Sequence, residues 1–254
     1  MANFYFFIDK NSCMNISIIN ERIYPINACI ANKKNDVNKK ILFCGTGFFY
    51  NQMGEVYFVT SLNVVAGRDI YTGETKNLNH YVPNSLSFMV SVKSNLEKQE
   101  LFLPLYDEDL TPVWFVHPVK KREIDIAVIP LKNQQGLKSL NDFEGHFNNF
   151  NQDVFVLGYP LYINQKERGE NPCLENRTIL SNNEDCFFIT PLNQSGFCGA
   201  PVFMEQENSL FPVFVGIYSG VDSNIQSSFS KECVWKAELI DEIIDAKLKD
   251  ESYI

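Results

Sequence analysis

Short runs of β-branched and aromatic residues, separated by turn signals, recur along nearly the whole chain. Several alternate between apolar and polar side chains, as in Leu-Ser-Phe-Met-Val-Ser-Val at 86–92, the pattern of a strand with one buried face. Only residues 236–249 place apolar side chains on one face of a helix, with Asp and Glu opposite. Many strands with little helix between them predict an all-β sandwich or barrel. The predicted strands are 15–19, 41–50, 56–61, 86–92, 101–105, 113–117, 124–129, 154–157, 187–190, 200–204 and 212–218.

The length and composition of the chain suit one globular domain. Its 254 residues are 45 % hydrophobic and 21 % charged, which excludes a disordered or collagen-like chain. All-β barrels of about 200–250 residues commonly form single units. Because no Pro/Gly/Ser linker and no internal repeat divides the sequence, we expect a single domain over residues 1–254.

The net charge and the cysteines limit which partners and which cellular compartment we expect for this chain. The net charge of −9 argues against binding to nucleic acid or to an anionic membrane surface. The first residues do not form a signal peptide, and no apolar run is long enough to span a bilayer, so we expect a cytoplasmic protein. Without a CxxC pair or clustered histidines, we expect no metal and no cofactor. The cysteines, odd in number, are Cys13, Cys29, Cys44, Cys173, Cys186, Cys198 and Cys233, and the histidines are His80, His117 and His146.

The strongest local indication of chemistry is Gly-Phe-Cys-Gly-Ala-Pro-Val-Phe at 196–203. A glycine two residues before a nucleophile lets the backbone turn so that two amide N–H groups face one point. Small residues just after it let a peptide approach closely. In this interpretation, the thiol of Cys198 faces an oxyanion hole built from the N–H groups of Gly196 and Cys198. The structural alternative is a tight glycine turn that carries a buried cysteine.

Two earlier segments become informative because of the order in which they precede the segment at 196–203. Cys-Gly-Thr-Gly-Phe-Phe at 44–49 leads through a hairpin turn at 51–54 to Val-Thr-Ser-Leu-Asn-Val-Val at 59–65. Arg-Glu-Ile-Asp-Ile-Ala-Val-Ile-Pro at 122–130 is a strand with an acid, Asp125, near its start. Alone, Asp125 would be an ordinary residue of a strand end, but the three segments in this sequence order are far more specific.

Together these segments resemble the chymotrypsin-like (trypsin-fold) proteases, and more narrowly the bacterial trypsin-like peptidase domain proteins. In that family a Gly-Thr-Gly-Phe hairpin precedes a Val-Thr-x-x-His-Val-Val segment with the catalytic histidine. An Asp-x-Ala-Val strand bears the aspartate, and Gly-x-Ser-Gly-x-Pro-Val bears the serine. The resemblance covers roughly residues 41–245. The matching stretches, in the family's order, are 45–48, 59–65, 125–128 and 196–202, and 114–118, 158–161, 216–220 and 234–237 are similar as well.

The resemblance implies two six-stranded antiparallel β-barrels and a C-terminal α-helix. The N-terminal barrel would cover about residues 15–130, the C-terminal barrel about 150–220 and the helix 236–249. It also implies that the chain binds a peptide or protein segment.

A substrate pocket is implied at three positions. Leu192, six residues before Cys198, would give the pocket an apolar base. Ser219 corresponds to a serine that contacts the aspartate in the family, and Gly220 would complete the pocket.

The catalytic positions depart from the family in two places. Asn63 stands where the histidine is expected and Cys198 where the serine is, whereas Asp125 is present. Cysteine at the nucleophile position also occurs in viral chymotrypsin-like proteases, whose Gly-x-Cys-Gly-Gly motif is similar. Asparagine cannot replace the catalytic histidine, because a carboxamide cannot take up a proton and return it to the leaving amine as imidazole does. Losing one triad member typically costs on the order of 10⁴–10⁶ in rate.

Two functions therefore stay open. The first is a trypsin-like protease homologue, inactive or strongly impaired, that is retained for binding peptides or proteins. The alternative is a cysteine-type endopeptidase, a hydrolase that uses Cys198 and Asp125 with a non-standard or missing base. A free thiol is a few per cent thiolate near pH 7, so a cysteine suffers less than a serine without its base. His80 or a partner could supply that base, or Asn63 could stand in place of a native histidine.

Overall fold

Strands dominate the computed structural model, which describes residues 16–32, 36, 38–70, 72–91, 98–131, 136–142, 153–161, 171–205, 211–221 and 231–251. Within these residues, twelve strands form two antiparallel units of six. The predicted all-β architecture with a C-terminal helix is confirmed.

The N-terminal unit is a six-stranded sheet with the order β5-β4-β1-β2-β3-β6. Its edge strands β5 and β6 do not pair with each other within the described residues. The chain between them adds only isolated bridges, such as Phe115 with Val128, and no strand that would close the sheet into a barrel. This half is therefore a sheet where a second barrel was expected. Its elements are α1 (Ile16–Asn20), β1 (Ile23–Ile30), β2 (Lys40–Gln52), β3 (Glu55–Thr60), α2 (Leu62–Ala66), β4 (Ser85–Ser91), β5 (Lys98–Pro104) and β6 (Ala127–Pro130).

The C-terminal unit is a closed barrel with the order β10-β11-β12-β9-β8-β7. It extends beyond the expected boundary at 220, because β12 closes it. A 3-10 turn, Leu140–Asp142, lies between the two units. The elements are β7 (Asp153–Gly158), β8 (Cys173–Asn182), β9 (Cys186–Ile189), β10 (Pro201–Met204), β11 (Val213–Val221), β12 (Glu232–Lys236) and α3 (Glu238–Ala246).

Local sequence explains most element ends. The β2–β3 hairpin turns at Met53 and Gly54, both with positive φ, as a tight two-residue turn requires. The final helix is shorter than predicted, because Lys247 adopts a left-handed conformation and ends it. The strand predicted at 15–19 is wrong: this segment is the short helix α1, whose Ile19 is buried in the core.

Three hydrophobic clusters form the core of the two units and of the contact between them. One fills the N-terminal unit and another fills the C-terminal barrel. The third lies between the halves, where Phe48 of β2 and Trp235 of β12 join the apolar face of α3. That face consists of Leu239, Ile240, Ile243 and Ile244, all buried. The two halves therefore pack through a continuous apolar contact, and residues from both can meet at its rim.

After α3 the chain returns to the N-terminal half. The N–H of Val116 donates to the Leu248 carbonyl at 2.9 Å, and Phe115 forms a bridge with Lys249. The indole N–H of Trp114, a fully buried residue, donates to Asp250 Oδ2 at 3.4 Å. Residues 248–250 thus complete the edge of the first half. No helix in the described part of the chain has the length and apolar character to cross a membrane.

Candidate active site

Asn63 sits in the short helix that follows β3. Helix α2 buries Leu62, Val64 and Val65, which leaves Asn63 half-buried on the other side. Gly67 ends the helix in a left-handed conformation, φ 63°. The Asn63 side chain donates from Nδ2 to Asp125 Oδ2 at 2.8 Å, and its main-chain N–H donates to Asp125 Oδ1 at 2.7 Å. The structure therefore brings two of the predicted catalytic residues into direct contact.

The Asp125 carboxylate is fully buried and receives four hydrogen bonds. Besides the two from Asn63, the Ser61 hydroxyl donates to Oδ2 at 2.8 Å and the Ser219 hydroxyl at 2.5 Å. Burial raises the pKa of Asp125, while the hydrogen bonds from Ser219, Asn63 and Ser61 act to lower it. The carboxylate is thus satisfied without an imidazole partner.

A β-bulge turns Ser219 toward the carboxylate. The pairing of β11 with β12 shifts register between Tyr218 and Gly220, so Ser219 has no direct partner across the ladder. A bulge re-aims a side chain that would otherwise follow the alternation of the strand. The contact of Ser219 with Asp125, expected from the family resemblance, is present.

Thr46 of β2 anchors the loop that carries Cys198. Its N–H donates to the Cys198 carbonyl at 2.8 Å, and its hydroxyl donates to the Gly196 carbonyl at 2.9 Å. Its own carbonyl accepts from the Thr60 hydroxyl at 2.7 Å. Gly199 has φ +87°, and a Cβ there would lie 2.2 Å from the Thr46 carbonyl oxygen. Only glycine permits so close an approach of the two halves.

The thiol of Cys198 points at a carbonyl rather than at a base. Its Sγ lies 3.5 Å from the Ser219 carbonyl oxygen, which accepts the thiol hydrogen. Burial, followed by the charge of Asp125, raises the pKa of Cys198 to about 11. The group is therefore a neutral thiol at physiological pH. Together with the other five described cysteines it is free of disulfides, and Cys13 lies outside the described residues.

The two main-chain N–H groups predicted to form an oxyanion hole make no other hydrogen bond to the rest of the described structure. Neither Gly196 nor Cys198 donates its N–H to another described residue. Gly196 has φ +96°, and a Cβ there would lie 2.3 Å from the Tyr159 carbonyl. Phe197, between the two, is fully buried inside the C-terminal barrel. The loop is therefore held by its apolar middle residue, while the N–H groups on either side have no partner in another described residue.

Two solved structures that are similar to this one are proteases. The chain matches the thermostable serine protease AL20 from an extremophilic microorganism with a TM-score of 0.52 and 12 % identity, over 89 % of this chain and 97 % of that one. It matches the tobacco vein mottling virus protease with a TM-score of 0.51 and 11 % identity, over 97 % of this chain and 88 % of that one. The fold is chymotrypsin-like. In sequence, the chain matches no protein-family model and no curated protein.

Within this chymotrypsin-like fold, the two described histidines are engaged away from the thiol. Nδ1 of the exposed His80 hydrogen-bonds to the Thr75 hydroxyl at 2.9 Å. His117 is buried, and its Nδ1 accepts from the main-chain N–H of Val119 and of Lys120. Its Nε2 lies 3.1 Å from Glu242. His146 lies outside the described residues.

The predicted pocket residues divide between two places. Gly220 lies beside the thiol, since a Cβ there would be 3.6 Å from Cys198 Sγ. Leu192 belongs to the buried cluster inside the C-terminal barrel. Its N–H donates to Glu232 Oε2 at 2.5 Å. A role for Leu192 in contacting a ligand remains a prediction.

Four residues of this site are not among those that the sequence predicts. Ser61 and Thr46 lie inside recognised motifs, and the two glycines that flank Thr46 were the available signal of a close approach. Lys76 belongs to the loop after α2, and its positive charge opposes the rise that burial causes in the pKa of both Asp125 and Cys198. Glu232 is buried on β12 and holds the turn at Leu192. Nothing in the sequence marks Lys76 or Glu232 as neighbours of the site.

Alkylation of Cys198 by iodoacetamide should follow its raised pKa. At pH 8 we expect a rate about 10–100-fold below that of the same cysteine in the urea-unfolded protein, whose thiol has a pKa near 8.5. The rate in the folded protein should still be rising at pH 10, because the Cys198 pKa is about 11. Mass spectrometry of the Cys198 peptide measures both rates. A plateau below pH 9 would show that the thiol is not held neutral.

Proposed function

We propose that this chain binds an extended peptide or protein segment on a chymotrypsin-like fold and hydrolyses it poorly or not at all. The observation that carries this proposal is the carboxamide of Asn63, which donates to Asp125 beside a neutral thiol. Peptide hydrolysis needs one group that removes the proton of the nucleophile and returns it to the leaving amine. A carboxamide does neither, so the site lacks its proton carrier.

The arrangement of Cys198 supports the same conclusion. Its hydrogen goes to the Ser219 carbonyl, which cannot accept a proton and become a cation near neutral pH. His80 and His117 are hydrogen-bonded elsewhere, so neither is a ready substitute for the missing base. A thiol that stays protonated is a poor nucleophile.

The end of β11 supports binding. Strand β10 pairs with β11 only from Val213 to Ile217, so residues 219–221 have no ladder partner on that side within the described structure. An extended peptide can add to such an edge through main-chain hydrogen bonds. A Cβ at Gly220 would already lie in van der Waals contact with Cys198 Sγ, at 3.6 Å, so a larger side chain there would crowd the thiol. The edge and the loop at 196–198 together offer a place for an uncleaved segment.

A matched pair of glycine variants tests the binding. A peptide recovered from a random dodecamer library with the wild-type chain serves as the probe. Gly220→Val should weaken its binding by more than tenfold, because the side chain fills the space beside the thiol. Gly54→Val is the control: Gly54 also has positive φ, but nothing lies within 4 Å of a Cβ there. Equal affinity of the two variants would count against peptide binding at residues 219–221 and the loop at 196–198.

Casein cleavage separates the proposal from the cysteine-peptidase alternative. The N–H groups of Gly196 and Cys198, which donate to no other described residue, are the feature that favours the alternative, since acyl transfer uses such donors. We expect the wild type and Cys198→Ala to leave casein equally intact. Cleavage by the wild type that disappears in Cys198→Ala would establish a cysteine endopeptidase with a non-standard base.

A further inference from the structure

The side-chain amide of Asn63 is only half satisfied. Its Nδ2 donates to Asp125 Oδ2, and this fixes the orientation of the amide, because the reverse would set Oδ1 against a carboxylate oxygen. Oδ1 is buried and has no hydrogen-bond partner in the described structure. A buried acceptor without a donor is unfavourable. Because Oδ1 is closed to solvent in this structure, the side chain of Asn63 has to shift when a ligand supplies an N–H, and the hydrogen bond then relieves the unpaired acceptor.

Three groups near Asp125 and Cys198 have no hydrogen-bond partner in another described residue. They are the N–H donors of Gly196 and Cys198 and the acceptor Oδ1 of Asn63. Asn63 is linked to Cys198 through a short chain of contacts: it shares Asp125 with Ser219, whose carbonyl accepts the thiol hydrogen. Because the thiol donates to that carbonyl, it does not satisfy Asn63.

We propose that Asn63 Oδ1 accepts a main-chain N–H from the bound segment, at the peptide group whose carbonyl faces Gly196 and Cys198. This inference rests on the proposed function, since it needs a peptide bound along residues 219–221 and the loop at 196–198. A trans peptide group carries its C=O and N–H on opposite sides, which suits two donors and one acceptor placed around it. Asn63 is then a ligand-binding residue and not only the site of a lost base.

The polarity of this contact is opposite to that of catalysis. An imidazolium gives a proton to the leaving nitrogen, and that interaction strengthens as the peptide bond breaks. The Asn63 oxygen accepts a hydrogen instead, from a nitrogen whose lone pair is still delocalised into the carbonyl. Binding strength gained in this way stabilises the intact peptide and raises no rate. The site would discriminate against segments without that N–H, such as those with proline, an N-methyl group or an ester at this position.

An ester scan of the library-selected dodecamer tests the contact. Each main-chain N–H is replaced in turn by an ester oxygen, and dissociation constants are measured with the wild type and with Asn63→Ala. We expect one ester to weaken binding to the wild type about tenfold, and the same ester to matter less than twofold for Asn63→Ala. Ser61→Ala is the matched control, because it also removes a donor to Asp125 but leaves Oδ1 in place, so the tenfold penalty should persist.

The outcomes separate this inference from the proposed function. If the ester penalty is the same in the wild type and in Asn63→Ala, the contact does not exist, although peptide binding stands. If no ester costs the wild type more than twofold, the contact is excluded without any variant, even where Asn63→Ala fails to fold. If no dodecamer binds at all, the proposed function itself fails.

Discussion

Asp125→Ala should lower the free energy of unfolding by about 3–5 kcal/mol. The variant removes a fully buried acceptor and leaves two hydroxyls, a carboxamide and a main-chain N–H without their partner. Each buried donor left unpaired costs on the order of 1–3 kcal/mol. Urea denaturation monitored by fluorescence and circular dichroism measures the change.

An exposed aspartate supplies the control for Asp125. Asp153, at the start of β7, accepts one hydrogen bond from the exposed Thr178 hydroxyl. Asp153→Ala should cost less than about 1 kcal/mol, as surface substitutions commonly do. If Asp125→Ala were equally mild, the carboxylate would not be the centre of a structural network. A large loss would mean that this chain needs Asp125 to fold, whatever its role in chemistry.

Asn63→His should raise the rate of Cys198 alkylation at pH 7.5 by about 10–100-fold, because a larger thiolate fraction outweighs the lower nucleophilicity of a less basic thiolate. The imidazole can donate from Nδ1 to Asp125, as Asn63 Nδ2 now does, and take the thiol proton at Nε2. Cysteines in electropositive surroundings, a neighbouring protonated histidine among them, have pKa values of about 3.5–7.5, far below the present value of about 11. Iodoacetamide kinetics with the Cys198 peptide quantified by mass spectrometry give the rate.

Asn63→Gln is the matched control for the histidine variant. It keeps a carboxamide in the site but adds no titratable group, so the alkylation rate should stay close to that of the wild type. The pH profile adds a second distinction, because a thiolate paired with an imidazolium reacts at a rate that levels off well below pH 9. Equal rates for Asn63→His and Asn63→Gln would show that more than the base has been lost from the site.

The order of three motifs was enough to predict much of this site. Because Asn63, Asp125 and Cys198 lie in segments with fixed roles in a known fold, their approach follows once that fold is recognised. The hairpin at Met53 and Gly54 was also readable, since such a turn depends on local backbone chemistry alone. Patterns that act within a few residues, or that identify a whole architecture, are visible in a single sequence.

What escaped prediction depends on contacts across the fold. Ser61 looks like an ordinary helix-capping serine, yet its hydroxyl bonds to Asp125 instead of capping α2. The charge of Lys76 reaches the site only because the loop folds back, with the Lys76 N–H on the Gly67 carbonyl at 3.1 Å. The helix at 16–20 was predicted as a strand because its apolar residues fit the period of a strand as well as that of a helix. The burial of Ile19 in the core favours the helix.

The return of the chain after α3 has a consequence for the timing of synthesis. Trp114 and Val116 are part of the N-terminal core, but their main-chain partners are Asp250 and Leu248, about 130 residues later. At about 5–20 residues per second, a ribosome needs roughly 7–26 seconds to add that length. The first half of the molecule therefore waits, with part of its edge unpaired, until the second half has been made.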